Sequence, residues 1–160
     1  MKGLRTKLSI KSLLKVLSVA NYPNVILGLM LLFHVSITSS AELKPFTTDG
    51  CSSFPDGTLE HKNLWLGCCT AHDLAYWQGG TFKQREQADV DLKKCVAKVG
   101  EEEIAVLMLA GVRVGGTPFL PTSFRWGYGW PYPKFYGELT EQERLQVESR
   151  LAELKTEQIK

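Results

Sequence analysis

The first 41 residues contain no aspartate or glutamate, although five basic residues stand among them. The rest of the chain carries 14 basic and 17 acidic residues, which gives it a formal charge of −3. It also lacks a stripe of lysine and arginine, the concentrated positive charge that binding to phosphates requires. We therefore exclude nucleic acid as a partner.

The chain also lacks an apolar run of the roughly 20 residues that cross a bilayer comfortably. The shorter run Val25–Val35 follows the basic stretch and precedes Ser39-Ser40-Ala41, whose small residues are typical of a signal-peptidase site. This order predicts a signal peptide over residues 1–41, cut after Ala41, and export to the periplasm or the exterior. The alternative is an N-terminal membrane anchor through residues 25–37.

Cysteine is scarce, and its four copies all lie after the predicted signal peptide: Cys51, Cys68, Cys69 and Cys95. An exported chain meets oxidants, so an even number of cysteines favours disulfides over thiols. The adjacent pair Cys68-Cys69 can hardly bond to each other without straining the backbone. Two pairings therefore remain open.

The length and the 44% hydrophobic content suit one globular domain, which we place at residues 42–139. Prolines and glycines at residues 42–58 predict a loop. Helical spacing predicts a first helix from Asn63 to Tyr76 and a second from Thr81 to Gly100. The second helix is expected to present one apolar stripe, made of Phe82, Ala88, Leu92 and Val96.

Three further segments complete the chain. Ile104 to Val114 is almost wholly apolar after three glutamates, and we interpret it as a buried core helix. Residues 115–137 hold many aromatic residues among glycines and prolines, which excludes a regular helix. We expect most of these rings to pack, with Trp126 and Trp130 as candidates for contact with lipid. Thr140-x-x-Glu143 is a capping box that predicts a polar helix over residues 140–160.

The residues that suggest chemistry lie at helical spacing. Cys68, His72 and Tyr76 are four residues apart and share one helix face. If Cys68 pairs with Cys95 on an antiparallel helix, His72 faces position 91, within a turn of both Asp89 and Asp91. A carboxylate would then orient an imidazole, either for packing alone or so that the imidazole takes a proton from water.

Asp73 points about 100° away from His72 around the helix, where it could hold a cation that polarises an ester carbonyl. Calcium suits this role, because a glycine-containing loop supplies backbone oxygens. Zinc on the cysteines is disfavoured, because adjacent cysteines seldom both reach one tetrahedral ion.

The run Cys-Cys-x-x-His-Asp-x-x-Tyr, at residues 68–76, closely resembles the active-site helix of the secreted phospholipase A2 family. Asp89, six residues before Cys95, matches that family's second helix. The resemblance covers residues 49–96. It implies a mainly α fold, in which a calcium loop precedes an antiparallel, disulfide-linked helix pair of phospholipase A2 type. The aromatic segment and the last helix are C-terminal additions to it.

The resemblance also implies a role for each matching residue. The disulfides would be Cys51–Cys69 and Cys68–Cys95. His72 would be the general base, Asp89 its orienting acid with Tyr76 hydrogen-bonded behind it, and Asp91 the reserve for Asp89. The Ca²⁺ ligands would be the Asp73 carboxylate and the carbonyls of Gly50, Ser52 and Phe54, with Asp56 as a further candidate.

The function implied is calcium-dependent hydrolysis of a glycerophospholipid acyl ester at the sn-2 position. A monomer would act on a membrane surface or aggregated lipid. The predicted calcium loop has fewer glycines than is usual in the family and is two residues longer to the histidine than in the animal enzymes. One alternative is therefore a catalytically silent module that binds lipid or protein, and another is an acyl esterase of broader specificity.

Overall fold

The computed structural model describes residues 41–157, so the predicted signal peptide and the alternative anchor at residues 25–37 lie outside the described residues. Four helices form in this part of the chain: α1 Leu66–Gln78, α2 Phe82–Lys98, α3 Glu102–Gly115 and α4 Glu141–Glu157. Residues 41–157 contain no strand, which confirms the prediction of a mainly helical fold. None of these helices is long and apolar enough to cross a membrane.

The predicted capping box before α4 is present, and a second one that was not predicted begins α2. The Thr81 hydroxyl accepts a hydrogen bond from the backbone N–H of Gln84 at the start of α2, and the side-chain oxygen of Gln84 accepts one from the backbone N–H of Thr81. Thr140 and Glu143 exchange the same pair of bonds before α4. α1 begins at Leu66, three residues later than predicted, because the N–H of Trp65 instead bonds to the carbonyl of Asp56 in the preceding loop.

α1 and α2 pack in antiparallel directions and carry a disulfide, Cys68–Cys95. A second disulfide, Cys51–Cys69, ties the preceding loop to α1. This is the pairing that the family resemblance implies. Around the disulfides lies a core that α3 and Trp65 complete, consisting of Trp65, Cys68, Cys69, Leu92, Val96, Ala105 and Met108. Two disulfides are typical of a protein that resides in an oxidising compartment.

The buried stripe of α2 differs from the predicted one. Leu92 and Val96 are buried as expected, but Phe82 is 50% exposed. The N-terminal half of the buried stripe is formed by Arg85 and Asp89 instead. An apolar pattern does not reveal them, because buried charges are rare unless they are paired.

The prediction of a buried core helix over Ile104–Val114 is only partly correct, because one side of α3 enters the core and the other is exposed. Ala105 and Met108 are the only fully buried residues of α3, whereas Leu107 is 57% and Val114 80% exposed. A helix that is apolar on all sides is expected to be covered on all sides. α3 packs on α2 through one side, and its outer side is an apolar surface.

The aromatic segment packs chiefly through its tryptophans. Trp126 and Trp130 are 2% and 1% exposed, so their assignment to lipid contact is wrong. All four indole N–H groups of the chain donate to backbone carbonyls, which satisfies them on burial. The pairs are Trp65 with Pro55, Trp77 with Lys44, Trp126 with Gly80, and Trp130 with Gln78.

α4 joins the same body through a second core. Val147 of α4 packs with Leu43, Trp77 and Trp130. The Gln146 side chain also accepts the N–H of Leu43, 2.8 Å away, and thereby fixes the start of the described chain.

Gly129 lies against this second core, and we predict that it tolerates no side chain. A Cβ there would stand 2.6 Å from Trp77 Nε1 and 2.7 Å from a Leu43 methyl. Gly129→Ala should lower the free energy of unfolding by about 1–3 kcal/mol through overpacking. Urea denaturation followed by tryptophan fluorescence measures it.

Gly67 provides the matched control, because a Cβ at this position of α1 meets nothing within 4 Å. Gly67→Ala should leave stability unchanged or raise it by up to about 1 kcal/mol, since alanine restricts the unfolded chain. Equal effects of the two substitutions would contradict the close packing of Gly129.

Candidate active site

His72 and Asp89 form the centre of the site. The Nε2 atom of His72 lies 3.0 Å from Oδ1 of Asp89. His72 is 8% exposed, and Asp89 is completely buried. Because a carboxylate accepts, Nε2 carries the hydrogen, and Nδ1 is the ring nitrogen left to receive a proton.

Tyr76 completes the arrangement from the next turn of α1. Its hydroxyl donates to the same Asp89 oxygen over 2.6 Å. Burial raises the pKa of Tyr76, and the nearby Asp89 raises it further, although the hydrogen bond from Arg85 opposes the rise. The phenol therefore remains a proton donor, and it helps to fix Oδ1 against His72.

The competing carboxylate, Asp91, does not take part. Its side chain is 59% exposed, lies 3.7 Å from Lys94 and accepts a bond from Gln87. Two residues along a helix turn the side chain by about 200°, so only one of Asp89 and Asp91 can face α1. If α1 and α2 advanced by equal numbers of residues from the Cys68–Cys95 disulfide, His72 would face position 91. In the structure, four residues of α1 separate Cys68 from His72, whereas six residues of α2 separate Cys95 from Asp89.

Two arginines that sequence reasoning missed surround Asp89. Arg85 is buried one turn earlier on α2, and its Nε lies 3.9 Å from Oδ2 of Asp89. Arg113, on α3, places its Nε 3.0 Å from the same oxygen. This N–H does not point at Oδ2, which accepts no hydrogen bond within residues 41–157. The contact is thus an ion pair without a directed bond.

Signals for both arginines exist in the sequence. Arg85 lies four residues before Asp89 and is therefore on the same face of α2 as the buried stripe. Arg113 is the only charged residue between Glu103 and the end of α3. A single charge in an apolar helix points to a buried partner.

A cavity of about 430 Å³ opens beside His72. Its walls come from the loop at residues 50–54, from α1 and α2, and from α3, with Phe124 contributed by the aromatic segment. Most of the lining is apolar. The polar side chains at one end include His72 and Asp73. A volume of this size lies within the usual range for small-molecule sites.

Asp73 stands in the same cavity as the predicted carbonyl ligands Gly50, Ser52 and Phe54. Burial raises its pKa to about 6, although a 2.6 Å hydrogen bond from the Thr48 hydroxyl works in the opposite direction. A partly dehydrated carboxylate matches the preference of Ca²⁺ for oxygen ligands. No group of three His, Cys, Asp or Glu side chains suitable for a metal occurs within residues 41–157, so backbone oxygens would form most of the set.

Asp56 holds the loop in shape. Its Oδ1 accepts the N–H of Cys51 over 2.8 Å and lies directly against Gly50. Gly50 has a φ of +75°, and a Cβ there would collide with the Asp56 carboxylate. Only glycine fits both constraints.

The structure thus brings His72, Asp89 and Tyr76 into direct contact and places Asp73 and the loop at the same cavity. His61 is exposed in the loop before α1. Comparison of the chain with models of protein families, with curated proteins and with solved structures finds no match. Only the residues of the site therefore indicate a function.

We predict that Asp89 contributes strongly to stability, because it is the anion between two guanidinium groups. Asp89→Asn should lower the free energy of unfolding by about 3 kcal/mol, since it leaves the buried guanidinium of Arg85 without a neighbouring anion. Asp91→Asn, on the exposed side of the same helix, should change it by less than about 0.5 kcal/mol. Urea denaturation followed by circular dichroism measures both, and similar losses in the two variants would refute the role of Asp89.

Proposed function

We propose that the chain hydrolyses an acyl ester of a glycerophospholipid, at the sn-2 position, with water as the nucleophile and Ca²⁺ as the cofactor. The products are a fatty acid and a lysophospholipid. The observation that carries this proposal is the buried His72–Asp89 pair, whose imidazole lines a largely apolar cavity. An acyl ester needs both an apolar wall for its chain and a polar end where the bond is cleaved.

The wall of the cavity suits a hydrocarbon chain. Leu92, Leu107, Met108 and Val112 line it, and Gly111 leaves open space where a side chain would stand. Burial of each CH₂ group of a chain contributes about 0.8 kcal/mol. The cavity therefore favours a long acyl group over a short, polar one.

His72 is suited to the role of general base. Nδ1 takes a proton from water as the water oxygen bonds to the carbonyl carbon of the ester. Asp89 keeps the hydrogen on Nε2 and stabilises the positive imidazolium that results. The imidazolium then gives its proton to the departing glycerol oxygen as the acyl C–O bond breaks. The base is thereby restored.

Asp73 and the carbonyls of Gly50, Ser52 and Phe54 are the residues that would hold Ca²⁺. When bound, the ion supplies Lewis-acid polarisation of the ester carbonyl. The raised pKa of Asp73 supports this placement, because burial makes the lone carboxylate costly to ionise without a cation.

The outer surface of α3 supports a lipid surface as the partner. Leu107 and Phe124 line the cavity and are also 57% and 38% exposed. Val106 and Val114 of the same helix are 50% and 80% exposed. Contiguous exposed apolar side chains are typical of surfaces that meet membranes or other partners. A monomer would place this surface on the membrane.

A second candidate, a serine esterase of broader specificity, is favoured by one observation. Ser52 and Ser53 line the same cavity as His72, and Ser52 has a positive φ of 54°. Strained backbone is common at catalytic residues. The Ser52 hydroxyl, however, donates to Asp49 over 2.9 Å, which supports a role in the loop.

The first test measures fatty-acid release from mixed phosphatidylcholine and phosphatidylglycerol vesicles, by the oxidised protein, with Ca²⁺ or with chelator. We expect release only with Ca²⁺. His72→Gln should reduce the rate by about 100- to 10,000-fold, because the general base is lost. Asp73→Asn should abolish both the activity and its dependence on Ca²⁺.

His61→Gln, in the exposed loop, is the matched control and should retain the full rate. Release by His72→Gln at the rate of the unsubstituted protein would end the assignment. Binding to vesicles without release would favour the catalytically silent module. Loss of release in Ser52→Ala or Ser53→Ala, together with covalent labelling by a fluorophosphonate, would favour the serine esterase.

The second test concerns the surface of α3. Val114→Ser and Leu107→Ser should each weaken sedimentation with vesicles, because apolar area that enters the lipid is removed. Leu145→Ser is the matched control, since Leu145 of α4 is similarly exposed at 55%. Equal binding by all three variants would remove α3 from the lipid surface.

A further inference from the structure

The guanidinium group of Arg85 donates hydrogen bonds to three parts of the fold. Its Nε donates to the hydroxyl of Tyr76 over 3.0 Å, and its Nη1 donates to the hydroxyl of Tyr136. Its Nη2 donates to the carbonyls of Val112 and Arg113, both 2.8 Å away. The residue is only 5% exposed. One side chain therefore joins α1, the end of α3 and the aromatic segment.

Each of these contacts leads to the site. Tyr76 donates directly to the Asp89 oxygen that holds His72. The carbonyls of Val112 and Arg113 belong to the last turn of α3, whose Val112 lines the cavity. A cation at the C-terminal end of a helix also interacts favourably with the helix dipole. Arg85 thus touches both the support of the catalytic pair and the wall of the cavity.

The residues around the Tyr76 hydroxyl are closely packed. A Cβ on Gly116, directly after α3, would stand 2.6 Å from the Tyr76 hydroxyl. The ring of Tyr76 packs edge-on against Trp126 at a centroid distance of 5.1 Å. The Tyr76 hydroxyl therefore has one position, between Arg85 and Asp89.

We propose that Arg85 is a positioning residue, whose planar guanidinium locks the end of α3 and the Tyr76 hydroxyl together and thereby fixes Asp89 against His72. The effect of Arg85 on catalysis rests on the proposed function, whereas its effect on the positions of Tyr76 and Asp89 does not. The fork geometry is essential, because a lysine ammonium is a single point charge that cannot span the same acceptors.

The test uses Arg85→Lys, which preserves the charge and removes the fork. Proton NMR detects the His72 Nε2–H as a downfield signal, assigned by its absence from His72→Gln. We expect Arg85→Lys to lose this signal or move it upfield, because Asp89 is no longer held. Arg150→Lys, a matched change on α4, should retain it. A signal unchanged in folded Arg85→Lys would overturn the proposal.

Kinetics provide the second readout. In Arg85→Lys, kcat for vesicle hydrolysis should fall about 10- to 100-fold through misplacement of the reacting groups, and KM should rise because the cavity wall is released. A normal kcat would overturn the proposal. If the unsubstituted protein hydrolyses no lipid, the proposed function fails, while the NMR result still decides the role of Arg85.

Hydrogen exchange in the unsubstituted protein tests the lock even if Arg85→Lys does not fold. The Arg85 Nε–H and the His72 Nε2–H should exchange with water through the same opening, with equal dependence on urea concentration. Much faster exchange at His72 would show that the pair moves independently of Arg85, and this result would overturn the proposal.

Discussion

The arrangement of the whole site depends on one buried carboxylate. Asp89 is fully enclosed and is stabilised by the imidazole of His72, the hydroxyl of Tyr76 and the nearby charges of Arg85 and Arg113. An isolated buried charge is very costly, so these groups cannot be displaced independently of it. These groups come from three of the four helices, two from α1 and one each from α2 and α3. The same carboxylate thus determines how α1, α2 and α3 come together and how the imidazole is oriented.

Local patterns predicted much of the fold. The capping box at Thr140 depends on residues three apart, and it is present. The helix pair follows from apolar spacing within each helix and from the short turn that joins the two helices. Short-range rules are sufficient for these features. The choice of Asp89 over Asp91 as the partner of His72 rests instead on the family resemblance, because an even register favours position 91, and the contact with Asp89 is observed.

The remaining features are set by contacts across the fold, which local patterns do not contain. The apolar sequence of α3 indicates burial. Which sides of the helix are buried depends on how much of its surface the neighbouring elements cover, and Val114 remains exposed. The positions of Arg85 and Arg113 in the sequence are unusual, but their partners become known only from the fold. Trp126 and Trp130 have the composition of a membrane-facing segment. Their burial depends on carbonyls of Gly80 and Gln78 at the end of α1, about 50 residues away in sequence.

The burial of every tryptophan also has a spectroscopic consequence. All four indoles are at most 3% exposed, and each N–H is already bonded to a backbone carbonyl. The side chains on the outer surface of α3 are aliphatic, and they do not fluoresce. Intrinsic tryptophan emission therefore reports the integrity of the core and is insensitive to lipid binding at the outer surface of α3. A fluorophore that senses lipid has to be introduced there, on the solvent side of α3.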